Sequence, residues 1–216
     1  MTGEATFTRW SGWDLRGGAS ADASGIDQFT RSAPPEPVAG SHYELLAVAG
    51  RGFRPPKLLS EARRSGGVLS DGADGEEDQP GLRLAWSLLY RAVAETAPAE
   101  MAPFAIYLLG VNPPSDATDQ DLVVFNDFYT NVHLPEVAER RRALRAVRYE
   151  LVEAVRPPYQ GAPRFLAVYE VDEEAADNRR HSGAPYAQGP EVWQRHKTPW
   201  RLWYRRLHPG KVPGPA

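Results

Sequence analysis

The 216-residue chain contains no cysteine. That excludes disulfides, thiolate metal sites and a cysteine nucleophile, and it fits a cytoplasmic protein. No apolar run approaches the roughly 20 residues a helix needs to cross a bilayer. The first residues, MTGEATFTRW, have neither the basic stretch nor the apolar core of a signal peptide. No excess of one charge is present: 25 Lys and Arg stand against 28 Asp and Glu, a net of -3. No overall basic field therefore recruits nucleic acid. Phosphate-loop spacing and the G-x-S-x-G elbow are both missing. The acidic stretch at 71–79 (DGADGEEDQ) lacks EF-hand spacing and reads as an exposed loop. His133, His181 and His196 match no compact ligand pattern, so neither a metal nor another cofactor is expected. What these absences leave is a chain with neither nucleic acid nor membrane as an expected partner.

What is present is most concentrated at 125–137, FNDFYTNVHLPEV. Phe125, Phe128 and Val132 recur at helical spacing and predict one apolar face. Asn126, Tyr129, His133 and Glu136 recur at i, i+3, i+7 and i+10 and predict a second, polar face. Pro135 closes or bends the helix.

The rest of the second half reads as alternating strands and helices. Phe104 to Val111 predicts a buried strand, and Ser115 to Thr118 offers caps for a helix over 118–138. Leu144 to Val155 and Arg164 to Val171 predict a strand hairpin around a loop at 157–163. A helix begins at Asp172, Glu191 to His196 forms a further turn, and Trp200 to Leu207 a last strand. This β-α-β-β-α-β order predicts an α+β, ferredoxin-like unit. The first half echoes it. Tyr43 to Ala49 resembles Phe165 to Val171, Lys57 to Gly67 resembles Ala176 to Ala184, and Trp86 to Val93 resembles Trp200 to Leu207. Two degenerate tandem ferredoxin-like copies are therefore expected, 1–97 and 98–216, pairing their sheets as an α+β barrel. Residues 19–41 and 66–81 read as loops.

The strand, the F-x-x-F-Y-x-x-x-H-x-P helix, the hairpin and the terminal aromatic strand resemble the dimeric α+β-barrel superfamily, nearest its EthD-like branch. The likeness covers about residues 100–208. It implies two ferredoxin-like sheets packed into a barrel, a cavity between sheet and helices, and a possible homodimer. It also implies a small-molecule enzyme of bacterial secondary metabolism, acting on a hydrophobic aromatic or polyketide-type substrate. Cyclase, isomerase, dehydratase or cofactor-free monooxygenase chemistry is implied, as in antibiotic biosynthesis. A non-catalytic ligand-binding relative and a haem-binding member are the alternatives.

Candidate residues follow from the chemistry. Imidazole titrates near neutrality, so His133 is the expected general base. Asn126 and Tyr129 would hold an oxyanion. Asp127 and Glu136 are further acid/base or binding groups. Tyr107, Tyr149 and Tyr169 on strands would donate hydrogen bonds to a substrate, and Trp200 and Trp203 would form planar walls.

Overall fold

The computed structural model describes residues 6–15, 40–48, 54–65, 82–98, 100–178 and 185–207. Eight strands run through them: β1 (Thr6–Leu15), β2 (Gly40–Val48), β3 (Leu58–Ser65), β4 (Leu82–Glu95), β5 (Ala105–Asn112), β6 (Arg145–Arg156), β7 (Phe165–Val171) and β8 (Lys197–Arg206). All pair antiparallel and close into one barrel in the order β1-β3-β2-β8-β5-β7-β6-β4.

This corrects the expected fold class. The chain is a single closed eight-stranded antiparallel barrel, not an assembly of α+β ferredoxin-like units packed face to face. Among the described residues the helices all belong to the second half. The segment Lys57 to Gly67 is a strand through Ser65, whereas its supposed counterpart begins in the short helix Glu173–Asp177. Sequence likeness there rested on arginines and small residues, which do not specify a period. The acidic stretch 71–79, the loop 66–81 and nearly all of 19–41 lie outside the described residues.

Strand alternation fills the barrel. Trp10, Trp86, Leu88, Ile106, Leu108, Val168, Trp200 and Leu202 point inward and are buried together. Trp86 and Trp200 meet at 5.3 Å between ring centroids. Gly12 is needed beside them: a Cβ there would stand 2.5 Å from Pro56 and 2.6 Å from Trp86. One end of the interior is charged instead. Glu61 and Glu170, 2% and 3% exposed, share Arg63, and Tyr43 donates to Glu61 at 3.0 Å.

The outer face of β5, β6, β7 and β8 is roofed by helix α1 (Asp119–Phe128), a π-helical segment (Tyr129–His133), α2 (Leu134–Arg140), and the short α3 (Glu173–Asp177) and α4 (Glu191–Gln194). Thr118 and Asp121 form a capping box that starts α1. Pro135 does not end the helix. Its missing N–H and its ring disrupt the i→i−4 ladder one turn earlier, and Leu134 donates instead to the Tyr129 carbonyl, five residues back. α2 then carries on to Arg140, with the proline in its first turn.

Candidate functional site

The π-helical turn decides which side chains reach the sheet. Phe125, Tyr129, Leu134 and Val137 are buried against it, while Val132, placed by strict helical spacing on the apolar face, is exposed. The extra residue in the turn rotates the second half of the predicted stripe away from the first. Tyr129 lies deep in the helix–sheet interface, and His133 sits half-buried beside it, ring centroids 5.8 Å apart. Trp193 of α4 packs on both, at 5.0 Å from Tyr129 and 4.5 Å from His133.

Below these rings the sheet contributes an aromatic row. Tyr169 of β7, Tyr107 of β5 and Trp203 of β8 lie directly opposite one another in register. Tyr107 stacks on Trp203 at 4.6 Å and lies 6.0 Å from Tyr169. The Arg141 guanidinium covers the Tyr107 ring at 4.8 Å. The structure thus brings His133, Tyr129, Tyr107, Tyr169 and Trp203 to one interface.

Asn126 reaches the edge of this interface by a different route. Its Oδ1 accepts from Arg148 of β6, which also donates to Thr130 Oγ1 at 2.9 Å. Arg148 is 3% exposed and lies over the rings of Tyr129 and Phe165 at 4.5 and 4.3 Å. Asn126 therefore anchors a buried cation. Glu136 pairs with Arg140 at 2.5 Å and accepts from the Ala187 N–H at 3.1 Å, tying α2 to the segment before α4. Asp127 is exposed and accepts from Asn131 at 2.8 Å, on the far side of the helix from the sheet. Tyr149 and Trp200 point into the barrel, so the closed sheet separates them from His133.

Burial governs the electrostatics. It drives the His133 imidazole down to about 4, with His196, Arg201 and Arg140 adding to the effect and Glu136 opposing it. At neutral pH the ring is uncharged. Burial also lifts the Tyr129 and Tyr169 phenols above their ordinary range, and the neighbouring phenols lift them further. Buried polar atoms here without a hydrogen-bond partner among the described residues include His133 Nδ1, Tyr129 Oη, Tyr169 Oη and Arg148 Nε.

Two groups of residues escaped the sequence reading. One is Arg148; the other is the charged end of the barrel, Glu61, Arg63, Arg145 and Glu170. A signal existed for one: Glu170 is the lone carboxylate in the otherwise apolar FLAVYEV strand, whereas the burial of Arg148 shows only in the structure. Among the described residues no group of three or more acidic or histidine side chains could hold a metal, and His181 lies outside them. Haem, an alternative implied by the resemblance, does not fit the interface as packed. The free Nδ1 of His133 is buried, Trp193, Tyr186 and Phe128 crowd the ring, and Phe125, Tyr129 and Phe165 fill the space behind.

No protein-family model matches the sequence, and no curated protein is similar to it. No helix among the described residues is long and apolar enough to cross a membrane. A solved structure is similar in fold. The crystal structure of a protein assigned the name chlorite dismutase TA0507 matches with a TM-score of 0.50 and 13% identity, over 94% of this chain and 95% of that one. The likeness is one of fold, and here one chain closes the whole barrel. The EthD-like branch and the polyketide, cyclase and antibiotic roles gain no support from it. At this identity the likeness establishes the fold alone: the chain is built like a chlorite dismutase-like barrel.

Proposed function

We propose that the chain is a small-molecule enzyme that exchanges a proton with an acidic, mainly apolar substrate, far smaller than haem, admitted between its helices and the outer face of β5–β8 when the packed roof loosens. The observation that carries this reading is the set of three unpartnered buried atoms, His133 Nδ1, Tyr129 Oη and Tyr169 Oη. Each costs about 1–3 kcal/mol if nothing meets it. Three on one interface mark where the polar edge of a ligand would be received.

The surrounding charge says which kind of ligand. Arg201 and Arg140 disfavour the protonated His133 ring, Arg141 lies over Tyr107, and Arg148 lies over Tyr129. Negative charge forming on a substrate, as an enolate or phenolate, is stabilised in this neighbourhood, whereas an isolated extra proton is not. A neutral His133 with its hydrogen on Nε2 accepts the substrate proton at Nδ1. Imidazolium and enolate then form together, and their attraction offsets the burial penalty that holds the imidazole low. Tyr129 and Tyr169 stay protonated and donate to the oxyanion. Asn126 is a positioning residue that acts through Arg148. Return of the proton at a second atom completes an isomerisation, and loss of a leaving group completes a dehydration.

The likeness of the helix to EthD-like proteins supports the histidine assignment. An aromatic or polyketide-type substrate and a ring-closing or cofactor-free oxidative outcome fall within the same chemistry. Deuterium exchange at the α-carbon of propiophenone in D2O, followed by proton NMR, tests the proposal. The wild-type chain should accelerate exchange, and His133→Ala should slow the catalysed rate about a hundredfold. Equal exchange with and without the imidazole removes His133 as the base.

A further inference from the structure

The charged end of the barrel opens into a groove of about 530 Å³, lined among others by Arg63, Arg91, Arg145, Glu95, Val147 and Tyr149. It lies inside the barrel mouth, on the opposite side of the sheet from His133. Three guanidinium groups border it against the single carboxylate of Glu95. These arginines are not equally committed. Arg63 is bound inward, to Glu61 and, at 2.8 Å, to Glu170, both buried. Glu61 and Glu170 overcome the burial penalty on Arg63 and hold it charged. Arg145 donates to Glu170 at 3.3 Å and to the half-exposed Glu95 at 2.7 Å, and its buried Nε has no partner among the described residues. Arg91 meets Glu150 at 3.1 Å, with both side chains partly in water.

The outward partners are therefore the weak ones. Solvated ion pairs contribute only about 0–1 kcal/mol, so an external anion can replace them at little cost. The same exchange lays apolar surface on Ala92, Val93 and Ala94, which line the groove and are not fully buried, over the buried Val147 and Tyr149. Four carboxylates (Glu61, Glu95, Glu150 and Glu170) already neutralise the arginines. A bare small anion thus gains little, and one carrying an apolar tail gains more.

We infer that the barrel mouth is a second binding site, for a small organic carboxylate that displaces Glu95 from Arg145 and rests its apolar tail on Ala92, Val93 and Ala94. Val147 and Tyr149 lie one strand position either side of Arg148, whose side chain points to the other face and holds Asn126. Occupancy of the mouth is thereby placed one residue from the helix-side interface.

Isothermal titration with hexanoate tests the site, with hexylamine and hexanol as charge controls. Hexanoate binds the folded chain with a Kd of about 1 mM or below, and the two controls do not match it. Glu95→Gln, which frees Arg145, tightens binding about threefold, and Arg91→Gln weakens it about threefold, each the size of one solvated pair. Arg145→Gln weakens it about tenfold or more; should that variant unfold by circular dichroism, the two exposed variants decide alone. Absence of hexanoate binding, equal binding of hexylamine, or an affinity indifferent to both Glu95→Gln and Arg91→Gln overturns the site.

Discussion

The two halves of the barrel lay their strands in the same order, β4-β1-β3-β2 and β8-β5-β7-β6, yet their outer faces have opposite chemistry. The second half presents Tyr107, Phe165, Tyr169 and Trp203 to a roof of helices. The first half presents hydroxyls. Ser11 and Ser87 are fully buried and bonded to each other at 3.3 Å, and Trp13 donates to Ser60 at 3.1 Å. These hydroxyls are paired, although Thr8 Oγ1, Arg9 Nε, Trp10 Nε1 and Trp86 Nε1 of the same half have no partner among the described residues. Under the helical roof the unpartnered atoms include two phenols and an imidazole, Tyr129 Oη, Tyr169 Oη and His133 Nδ1. The comparison teaches that one strand order can carry a face of paired hydroxyls and a face whose phenols and imidazole are left idle. Idle capacity is the feature expected of a face that receives something else.

The largest test breaks the seam between the halves. Arg63 of β3 joins Glu61 of its own half to Glu170 of the other. Arg63→Met leaves two buried carboxylates short of a cation and should cost about 3–5 kcal/mol in urea denaturation. A loss under about 1 kcal/mol would mean that strand pairing and apolar packing hold the halves together without this ion bridge.

Slightly smaller is the roof of the second half. Phe125 touches Tyr129, Phe165 and Trp193. Phe125→Ala should cost about 3–4 kcal/mol through the cavity it leaves. Amide exchange should rise in α1 and α2 well before it rises in β1–β4. Uniform exchange across both halves would refute a separately detachable roof.

Acid should select the second half as well. The imidazole of His133 titrates near 6.5 when unfolded and at about 4 when folded. Between those values the unfolded chain binds the extra proton, so stability falls as pH drops from about 6.5 toward 4, by about 3 kcal/mol at most. Replacing His133 by Gln should flatten that limb when urea midpoints are compared at acid and neutral pH. An unchanged limb assigns the acid sensitivity elsewhere.

The smallest effects distinguish the two faces by sign. Ser87→Ala removes a matched hydroxyl and should destabilise by about 1 kcal/mol, whereas Tyr129→Phe removes an unmatched one and should stabilise by up to about 1 kcal/mol. Thermal melts of the two variants side by side read the difference. Destabilisation by both would show that Tyr129 Oη is satisfied after all.

Legibility in the sequence followed the local signals. The strands and helices from Ala105 to Arg206 announce themselves through apolar runs, Pro and Gly breaks and the Thr118 cap, and the structure places them within a few residues. The aromatic row was half visible: Tyr107, Tyr169 and Trp203 stood out by type, but only the register between β7, β5 and β8 makes them neighbours. Trp200 and Tyr149 looked equivalent to them and belong to the barrel interior, because odd and even positions of a strand face opposite sides. Glu136 shared a predicted face with His133 until the π-helical turn changed the phase of the helix.

By itself, the sequence determined the strand periodicity, the capped helix, the histidine at its proline-bent turn and the absence of cysteine chemistry, since each depends on residues a few positions apart. Tertiary structure alone decided the closure into one barrel, the pairing of Glu61 with Glu170 through Arg63, the anchoring of Arg148 by Asn126, and the burial that keeps His133 uncharged. Those outcomes depend on which distant strands become neighbours and on how much water they exclude, and neither quantity is a property of any local stretch of chain.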